Sequence, residues 1–455
     1  MRIIIVGAGK VGAAVAELLT NMDHDVIVVD KDGERVQYCI SNFDTRGIAG
    51  SGANFKVLKE AGVSKAHLFL ALTGSDELNL LCCLLAKKAG VKETIARIGN
   101  PEYYEQIQVM KNDLGLSMTI NPDDIAADEI ARQLRLPSAE KVDFCAGGRA
   151  EIVAVSVSEG CPLIGMSMKD LRGKFGDVLV CGLQRNDEVI IPSGLTVIGE
   201  GDELLIAAKH SNITNFFKKL KLYTTKPKRV MLIGGGRIAY YLAEDLSDMG
   251  MKVCIVEMSR ERAKELSRVL PDADVVLGDG TDQTVLIEEG IEGTDAVVAL
   301  TDVDEENILI SMFAKNCGVD KVITKLNKRS FGKMLLESLK IESVIAPHWV
   351  AANRIVGYIR GKANTAQDSK IDAIYKLADD KIEALEFRIL DEKADYVGIP
   401  LKKLGLKENV LISGILRERE LIIPRGDDTI QAFDTVLVVT IVNEDLIEDF
   451  HDLMR

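Results

Sequence analysis

Two apolar rhythms alternate along the first part of the chain. Ile3 to Val6 is an unbroken apolar run that stops at a glycine, the pattern of a parallel strand buried on both faces. Val11 to Leu19 then repeats apolar residues at three- and four-residue intervals, which predicts a helix with one buried face. Short runs return at Val26 to Val29, Gly47 to Ala49, Leu68 to Leu72 and Thr94 to Ile98, with helical segments around Phe55 to Ala61 and Glu77 to Ala89. Strands and helices alternating at this spacing predict a doubly wound parallel sheet.

The pattern then happens again. Val230 to Ile233, Val253 to Val256, Val275 to Leu277, Ala296 to Leu300 and Val322 to Lys325 follow the same order. Gly9 and Gly236, Asp30 and Glu257, and Arg35 and Arg262 are each 227 positions apart. Gly50 and Gly278, Gly62 and Gly290, Thr73 and Thr301, Asn79 and Asn307, and Arg97 and Lys325 are each 228 apart. A glycine loop, an acid, a hydroxyl and a base in one order at one spacing mark an internal duplication.

Each sheet region leads into a predicted helix, Ala126 to Leu136 and Ala351 to Arg360. Short β-like runs with turn residues come next. Ala150 to Val157, Val178 to Leu183, Glu188 to Ile191 and Asp202 to Ala207 fit a small α+β module. Its counterpart is Lys381 to Ile389, Asn409 to Leu416, Glu420 to Ile423 and Thr435 to Val439. Pro192 with Pro424, and Asp202 with Asp434, are 232 apart. Lys221 to Lys228, with Thr224, Thr225 and Pro227, reads as the linker between halves. The expected fold is α/β: two Rossmann-like domains at 1–122 and 229–347, each followed by a small α+β domain, at 140–222 and 372–455.

Composition narrows the function. A chain of 455 residues accommodates three or four domains, and a formal net charge of −14 argues against a general nucleic-acid partner. No stretch approaches the roughly 20 apolar residues that cross a bilayer. Met1-Arg2 leads directly into the first strand, so no cleavable signal is expected, and eight cysteines without CxxC spacing read as reduced core residues. The expectation is a soluble, cytoplasmic protein.

Gly7-x-Gly9-x-x-Gly12 follows a predicted strand and opens a predicted helix, and Asp30 ends the next strand. That is the dinucleotide fingerprint: a tight turn, close backbone approach to a pyrophosphate and a helix N-terminus facing it. A carboxylate at Asp30 accepts ribose hydroxyls and repels a 2′-phosphate, favouring NAD over NADP. The second copy, Gly234-Gly235-Gly236-Arg237-Ile238-Ala239 with Glu257, departs only at Ala239, where alanine affects helix-to-strand packing rather than phosphate approach.

Other recurrent positions carry two readings. Arg35 and Arg262 suit adenine or phosphate, or a solvated helix face. Gly50-Ser51 and Gly278-Asp279 end the next strand on the adenine side. Thr73 and Thr301 suit phosphate or ribose, or a helix cap near Asp76 or Asp304. Arg97 and Lys325 suit phosphate, or a bridge between subunits. The five histidines do not recur between copies, and His67 falls where the second copy has Asp295. No metal-ligand spacing or paired nucleophile and base is present, which speaks against the rival reading of an NAD-dependent oxidoreductase; the two ribose acids speak against a bare scaffold.

Ala71-Leu72-Thr73-Gly74-Ser75-Asp76-Glu77-x-Asn79 and Ile95-Ala96-Arg97-Ile98 resemble the N-terminal domains of the RCK (regulator of potassium conductance) family. Cys161-Pro162-Leu163-Ile164-Gly165-Met166-Ser167-Met168 and Ile191-Pro192-Ser193-Gly194 resemble its C-terminal domains. The resemblance covers essentially the whole chain. It implies a non-enzymatic regulatory subunit on the inner face of the cell membrane, assembled as a dimer or tetrameric ring beneath a separate, integral Trk-type potassium-translocating subunit. It also implies binding of NAD(H), and of ATP or ADP in some members. The binding set expected in the first copy is Gly7, Gly9, Lys10, Val11, Gly12, Asp30, Arg35, Ser51, Thr73 and Arg97. In the second it is Gly234, Gly236, Arg237, Ile238, Glu257, Asp279 and Thr301.

Overall fold

The computed structural model describes residues 1–135, 141–145, 149–186, 188–220, 226–327, 339, 341, 343–365, 371–378, 381–418, 420–442, 447 and 449–455. Leu136 at the expected end of the first connecting helix, the expected domain start at residue 140 and most of the expected linker, Lys221 to Thr225, lie outside them.

The first lobe runs β1 (Arg2–Val6), α1 (Lys10–Thr20), β2 (Asp25–Asp30), α2 (Gly33–Asn42), β3 (Arg46–Ala49), α3 (Phe55–Glu60), β4 (Leu68–Ala71), α4 (Asp76–Lys88), β5 (Glu93–Arg97), α5 (Pro101–Met110), β6 (Met118–Ile120) and α6 (Pro122–Arg135). Its parallel sheet has the order β3-β2-β1-β4-β5-β6. Ile3, Ile4 and Ile5 are all fully buried, because helices cover both faces of β1. The strand order reverses between β1 and β4, where such sheets form a ligand crevice.

A first small module follows, with β7 (Lys141–Cys145), β8 (Ala150–Ser156), α7 (Met168–Phe175), β9 (Val178–Arg185), β10 (Glu188–Ile190), β11 (Glu203–Ala208) and α8 (His210–Leu220). Its antiparallel sheet has the order β10-β9-β11-β8-β7. The second lobe comprises β12 (Arg229–Ile233), α9 (Arg237–Asp248), β13 (Lys252–Glu257), α10 (Arg260–Val269), β14 (Ala273–Leu277), α11 (Gln283–Glu288), β15 (Ala296–Ala299), α12 (Asp304–Asn316), β16 (Lys321–Lys325), β17 (Ser343–Ile345) and α13 (Pro347–Thr365). Its sheet order, β14-β13-β12-β15-β16-β17, reproduces that of the first. The last module carries β18 (Ile371–Leu377), β19 (Ile382–Arg388), β20 (Val410–Arg417), β21 (Glu420–Ile422) and β22 (Thr435–Ile441), ordered β18-β19-β22-β20-β21.

Association does not follow chain order. One compact unit joins Met1–Ala131 to Pro227–Val356, and the other joins Arg132–Lys226 to Gly357–Arg455. Like therefore packs with like. In the second unit, Cys181, Leu205 and Ala207 of one module share a buried cluster with Ile382, Ala384, Leu437 and Val439 of the other. Arg172 adds two bonds across it, donating to the carbonyl oxygens of Ile423 and Pro424 at 2.8 and 2.7 Å. Asp202 and Asp434, fully or almost fully buried, are each gripped by an arginine fork, from Arg185 and Arg417. The recurrent aspartates of the modules are thus structural anchors.

Candidate functional site

In the first lobe β1 delivers the chain to Gly7, whose φ of +103° suits glycine alone and whose N–H donates to Val29 O at 2.8 Å. A Cβ at Gly7 would lie 2.8 Å from the backbone of Leu72 and of Thr73, so the turn rests directly on the end of β4. One at Gly12 would lie 1.8 Å from Gly7 O, which is why α1 packs so closely beneath the turn. Around Gly9 the space is open, and Gly9 is the N-cap of α1 with no side chain capping the helix. The chain thus leaves a cradle at a helix N-terminus, the geometry that accepts a phosphate. Lys10 is exposed at the first turn and Val11 is buried beneath it.

Asp30 closes the crevice and is itself held. Its Oδ2 accepts the N–H of Ala8 at 2.6 Å and its Oδ1 that of Asp32 at 2.9 Å. The acid therefore braces the glycine loop, and its carboxylate retains further acceptor capacity. Ser51 is exposed, with its hydroxyl accepting the N–H of Ala53. Thr73 is committed inward: its N–H and hydroxyl both donate to Asn79 Oδ1, at 2.9 and 2.7 Å. Fully buried Asn79 donates in turn to the carbonyls of Thr73 and Arg97, pinning the ends of β4 and β5 together. The side-chain cap of α4 is Ser75, not Thr73.

The second lobe repeats this with measured differences. Gly234 has φ +102° and donates to Val256 O. Its Cβ would lie 3.0 Å from Leu300 C and 3.2 Å from Thr301 N, so this turn sits a few tenths of an ångström further from the next strand. That accompanies Ala239, fully buried where the first loop has Gly12. Gly236 caps α9 without a side-chain bond, and Ile238 is buried behind it. Glu257 repeats the bracing, accepting the N–H groups of Gly235 and Ser259, both at 2.7 Å. Asn307 again bonds Thr301 N–H, Thr301 O and Lys325 O. Asp279 accepts the N–H and hydroxyl of Thr281, and these bonds hold its carboxyl below the usual range.

The recurrent bases diverge. Arg97 ends β5 and Lys325 ends β16, where Lys325 is almost buried and donates to Asp302 at 3.1 Å. Arg237, expected on the second loop, directs its guanidinium to the first lobe instead, beside Gly99 and 4.0 Å from Asp123. Asn121 reinforces that junction by donating to the Tyr241 hydroxyl at 2.8 Å. Burial pushes the Asp123 carboxyl up, and the positive charges of Arg97, Arg237 and Lys325 oppose it. His67 lies at the far end of the sheet, where its Nδ1 accepts the N–H of Arg2. Asp295 does the same work for Lys228 and Arg229, so the exchange of histidine for aspartate is structural.

All eight cysteines are free thiols. Burial pushes Cys82 up to about 11 and Cys181 up to about 12, which keeps them protonated and poor nucleophiles. Among the described residues no group of three or more His, Cys, Asp or Glu is placed to hold a metal, and no helix is long and apolar enough to cross a membrane. Sequence reasoning noticed the recurrence of Asn79 and Asn307 but not their pinning role. It missed the Asn121–Tyr241 contact, which joins residues 120 positions apart and leaves no local signal.

Comparison with known proteins matches the TrkA-N domain to residues 3–122 and 230–347 and the TrkA-C domain to residues 152–221 and 385–454. A protein of Archaeoglobus fulgidus described as a Trk system potassium uptake protein TrkA homolog is 36% identical over 100% of both chains. The Trk system potassium uptake protein TrkA of Haemophilus influenzae is 30% identical, covering 96% of this chain and 95% of its own. Among solved structures, the GsuK RCK domain superimposes with a TM-score of 0.62 at 18% identity, covering 96% of this chain and 92% of that one. The GsuK channel bound to NAD gives the same TM-score over 76% of its length. At that identity the likeness concerns the fold.

Proposed function

Because this chain belongs to the TrkA family, with paired TrkA-N and TrkA-C domains along its whole length, we propose that it is the nucleotide-binding regulatory subunit of a Trk-type potassium uptake system. It acts in the cytoplasm, docked through an integral, potassium-translocating partner on the inner face of the membrane. The ligand is NAD(H), with ATP or ADP as competing effectors in the same crevices. Several copies of the chain assemble, as a dimer or a tetrameric ring, so that nucleotide state reaches the transporter through a common platform.

The observation that carries this reading is the twice-built phosphate cradle, each with an acid bonded to its glycine loop. Gly9 and Gly236 leave room for a phosphate at an uncapped helix N-terminus, and Asp30 and Glu257 face the ribose side. Lys10, Val11, Gly12, Arg35, Ser51, Thr73 and Arg97 form the rest of the first site as we assign it, and Ile238, Asp279 and Thr301 the rest of the second. Thr73 and Thr301 contribute by shaping the strand end. Arg237 serves the junction between lobes. None of these groups pairs a base with a nucleophile, and the function we assign is sensing rather than turnover.

Gating requires that nucleotide bind one conformation of the assembly better than another, since equal affinity shifts nothing. Both lobes lie in one compact unit, and Arg237 and Tyr241 at the start of α9 touch Asp123 and Asn121 at the start of α6. Ligand that tightens a glycine loop therefore acts on a helix that contacts the other lobe. Thermal-shift measurements with NAD, NADH, ATP, ADP and cyclic dinucleotides test the reading. Stabilisation by at least one of the first four is expected; a melting temperature unmoved by all of them overturns it, and turnover of NADH with a substrate favours an oxidoreductase.

A further inference from the structure

The two crevices carry an arginine at the same place in the repeat and use it differently. Arg35 is exposed, and its Nε lies 3.2 Å from Asp32, the N-cap of its own helix. Arg262 turns to the glycine loop instead. Its Nε donates to Gly235 O at 2.8 Å, its Nη2 approaches Gly236 O at 3.5 Å, and its Nη1 pairs with Glu265 at 2.8 Å.

Two exchanges between the copies account for the difference. The N-cap of α10 is Ser259 where α2 has Asp32, so the second lobe lacks the carboxylate that draws the first arginine away. Glu265 stands where the first copy has Tyr38, and it holds the second guanidinium from the opposite side. The loop that meets a nucleotide's phosphates thus carries a positive charge in one lobe and none from the matching residue in the other.

We propose that Arg262 is a specificity-determining residue of the second crevice, selecting nucleotides that end in a free phosphate, nucleoside di- and triphosphates, over dinucleotides. This rests on the reading of both crevices as nucleotide sites. In the resting loop the guanidinium donates to neutral carbonyls. A phosphate oxygen is a stronger acceptor, and a planar fork can exchange the carbonyls for it with little rearrangement. The terminal phosphate of a nucleoside diphosphate carries more charge than either bridging phosphate of a dinucleotide, so it gains more from that exchange. In the first crevice Arg35 stays with Asp32, and no such preference develops.

The test is calorimetric titration of the full chain with ADP and with NAD in an Asp30→Ala background, which leaves the second crevice as the binding site. Arg262→Gln is expected to weaken ADP roughly tenfold, the loss of one charge-assisted fork, and NAD by no more than about threefold. Arg262→Lys restores part of the ADP affinity through charge alone. The double exchange Ser259→Asp with Glu265→Tyr, which leaves Arg262 in place, lowers the ADP preference in the same direction. An ADP-to-NAD ratio unmoved by Arg262→Gln in a chain that melts like its parent overturns the assignment alone. Absence of any nucleotide binding by the parent chain overturns the nucleotide-site reading with it.

Discussion

Gly12→Ala asks whether the first glycine loop is set by the closeness of helix and turn. The added methyl would lie 1.8 Å from Gly7 O and 3.0 Å from Gly7 C, where real contacts of this kind begin near 3.0 Å. Something has to move by more than an ångström. Gly7 cannot move inward, because it already rests against the backbone of Leu72 and Thr73. The turn must lift, carrying the Ala8 N–H away from Asp30 and opening the cradle at Gly9. Overpacking of this size costs about 1–3 kcal/mol of stability. Loss of phosphate alignment is expected to weaken NADH about tenfold or more, equivalent to ~1.4 kcal/mol or above. The second lobe shows the milder outcome of the same exchange: with Ala239 in place its turn stands a few tenths of an ångström further from the strand. Fluorescence titration of NADH, in a Glu257→Ala background that silences the second crevice, measures the effect beside a melting curve. Affinity within twofold of the parent, with the variant folded, would refute the reasoning.

Three further outcomes follow from the geometry. Asn79→Ala strips a fully buried side chain of bonds to Thr73 and Arg97, and a loss of ~2–3 kcal/mol in urea unfolding of the full chain is expected. The Asp245 carboxyl is pushed up to about 6, first by burial and then by Asp128, Asp124, Glu244 and Asp248. Because its folded value lies above its unfolded one, ionisation destabilises the fold; the penalty is absent below about pH 3.8, develops between there and pH 6, and is complete above. Asp245→Asn is therefore expected to stabilise by about 1–2 kcal/mol at about pH 7.5 and by nothing at about pH 3, as read from melting curves, which falls below the full two-unit value because the group is partly solvated. Tyr241→Phe removes the bond from Asn121, and weaker influence of ligand in one crevice on affinity at the other is expected in two-site titrations.

What was legible in the sequence is what local burial writes there. After their opening arginines β1 and β12 are wholly apolar because helices cover both faces, and each stops at a glycine that must turn with positive φ. β6 escaped because an edge strand of three residues carries little periodicity, and the edge strands β7 and β18 that open the modules escaped with it. α5 also escaped: Pro101-Glu102-Tyr103-Tyr104 opens it without a clean apolar stripe. The glycine loops and their acids were readable because backbone geometry restricts those positions. Arg35 and Arg262 were not separable, since their paths depend on whether the helix cap is Asp32 or Ser259 and on Glu265 one turn later. The regrouping of lobe with lobe and module with module had no local signature, because the contacts join segments more than a hundred residues apart.

Potassium flux through the membrane partner is the measurement nearest to the proposed function. Proteoliposomes holding the partner and this chain are loaded with potassium tracer and exposed to NAD, NADH, ATP or ADP, with Asp30→Ala and Glu257→Ala singly and together as controls. Flux is expected to change with nucleotide in the parent, and the double variant to hold one flux whatever nucleotide is added. A flux that ignores nucleotide in the parent, or still follows it in a folded double variant that no longer binds nucleotide, contradicts the assignment of these two crevices as the sensor.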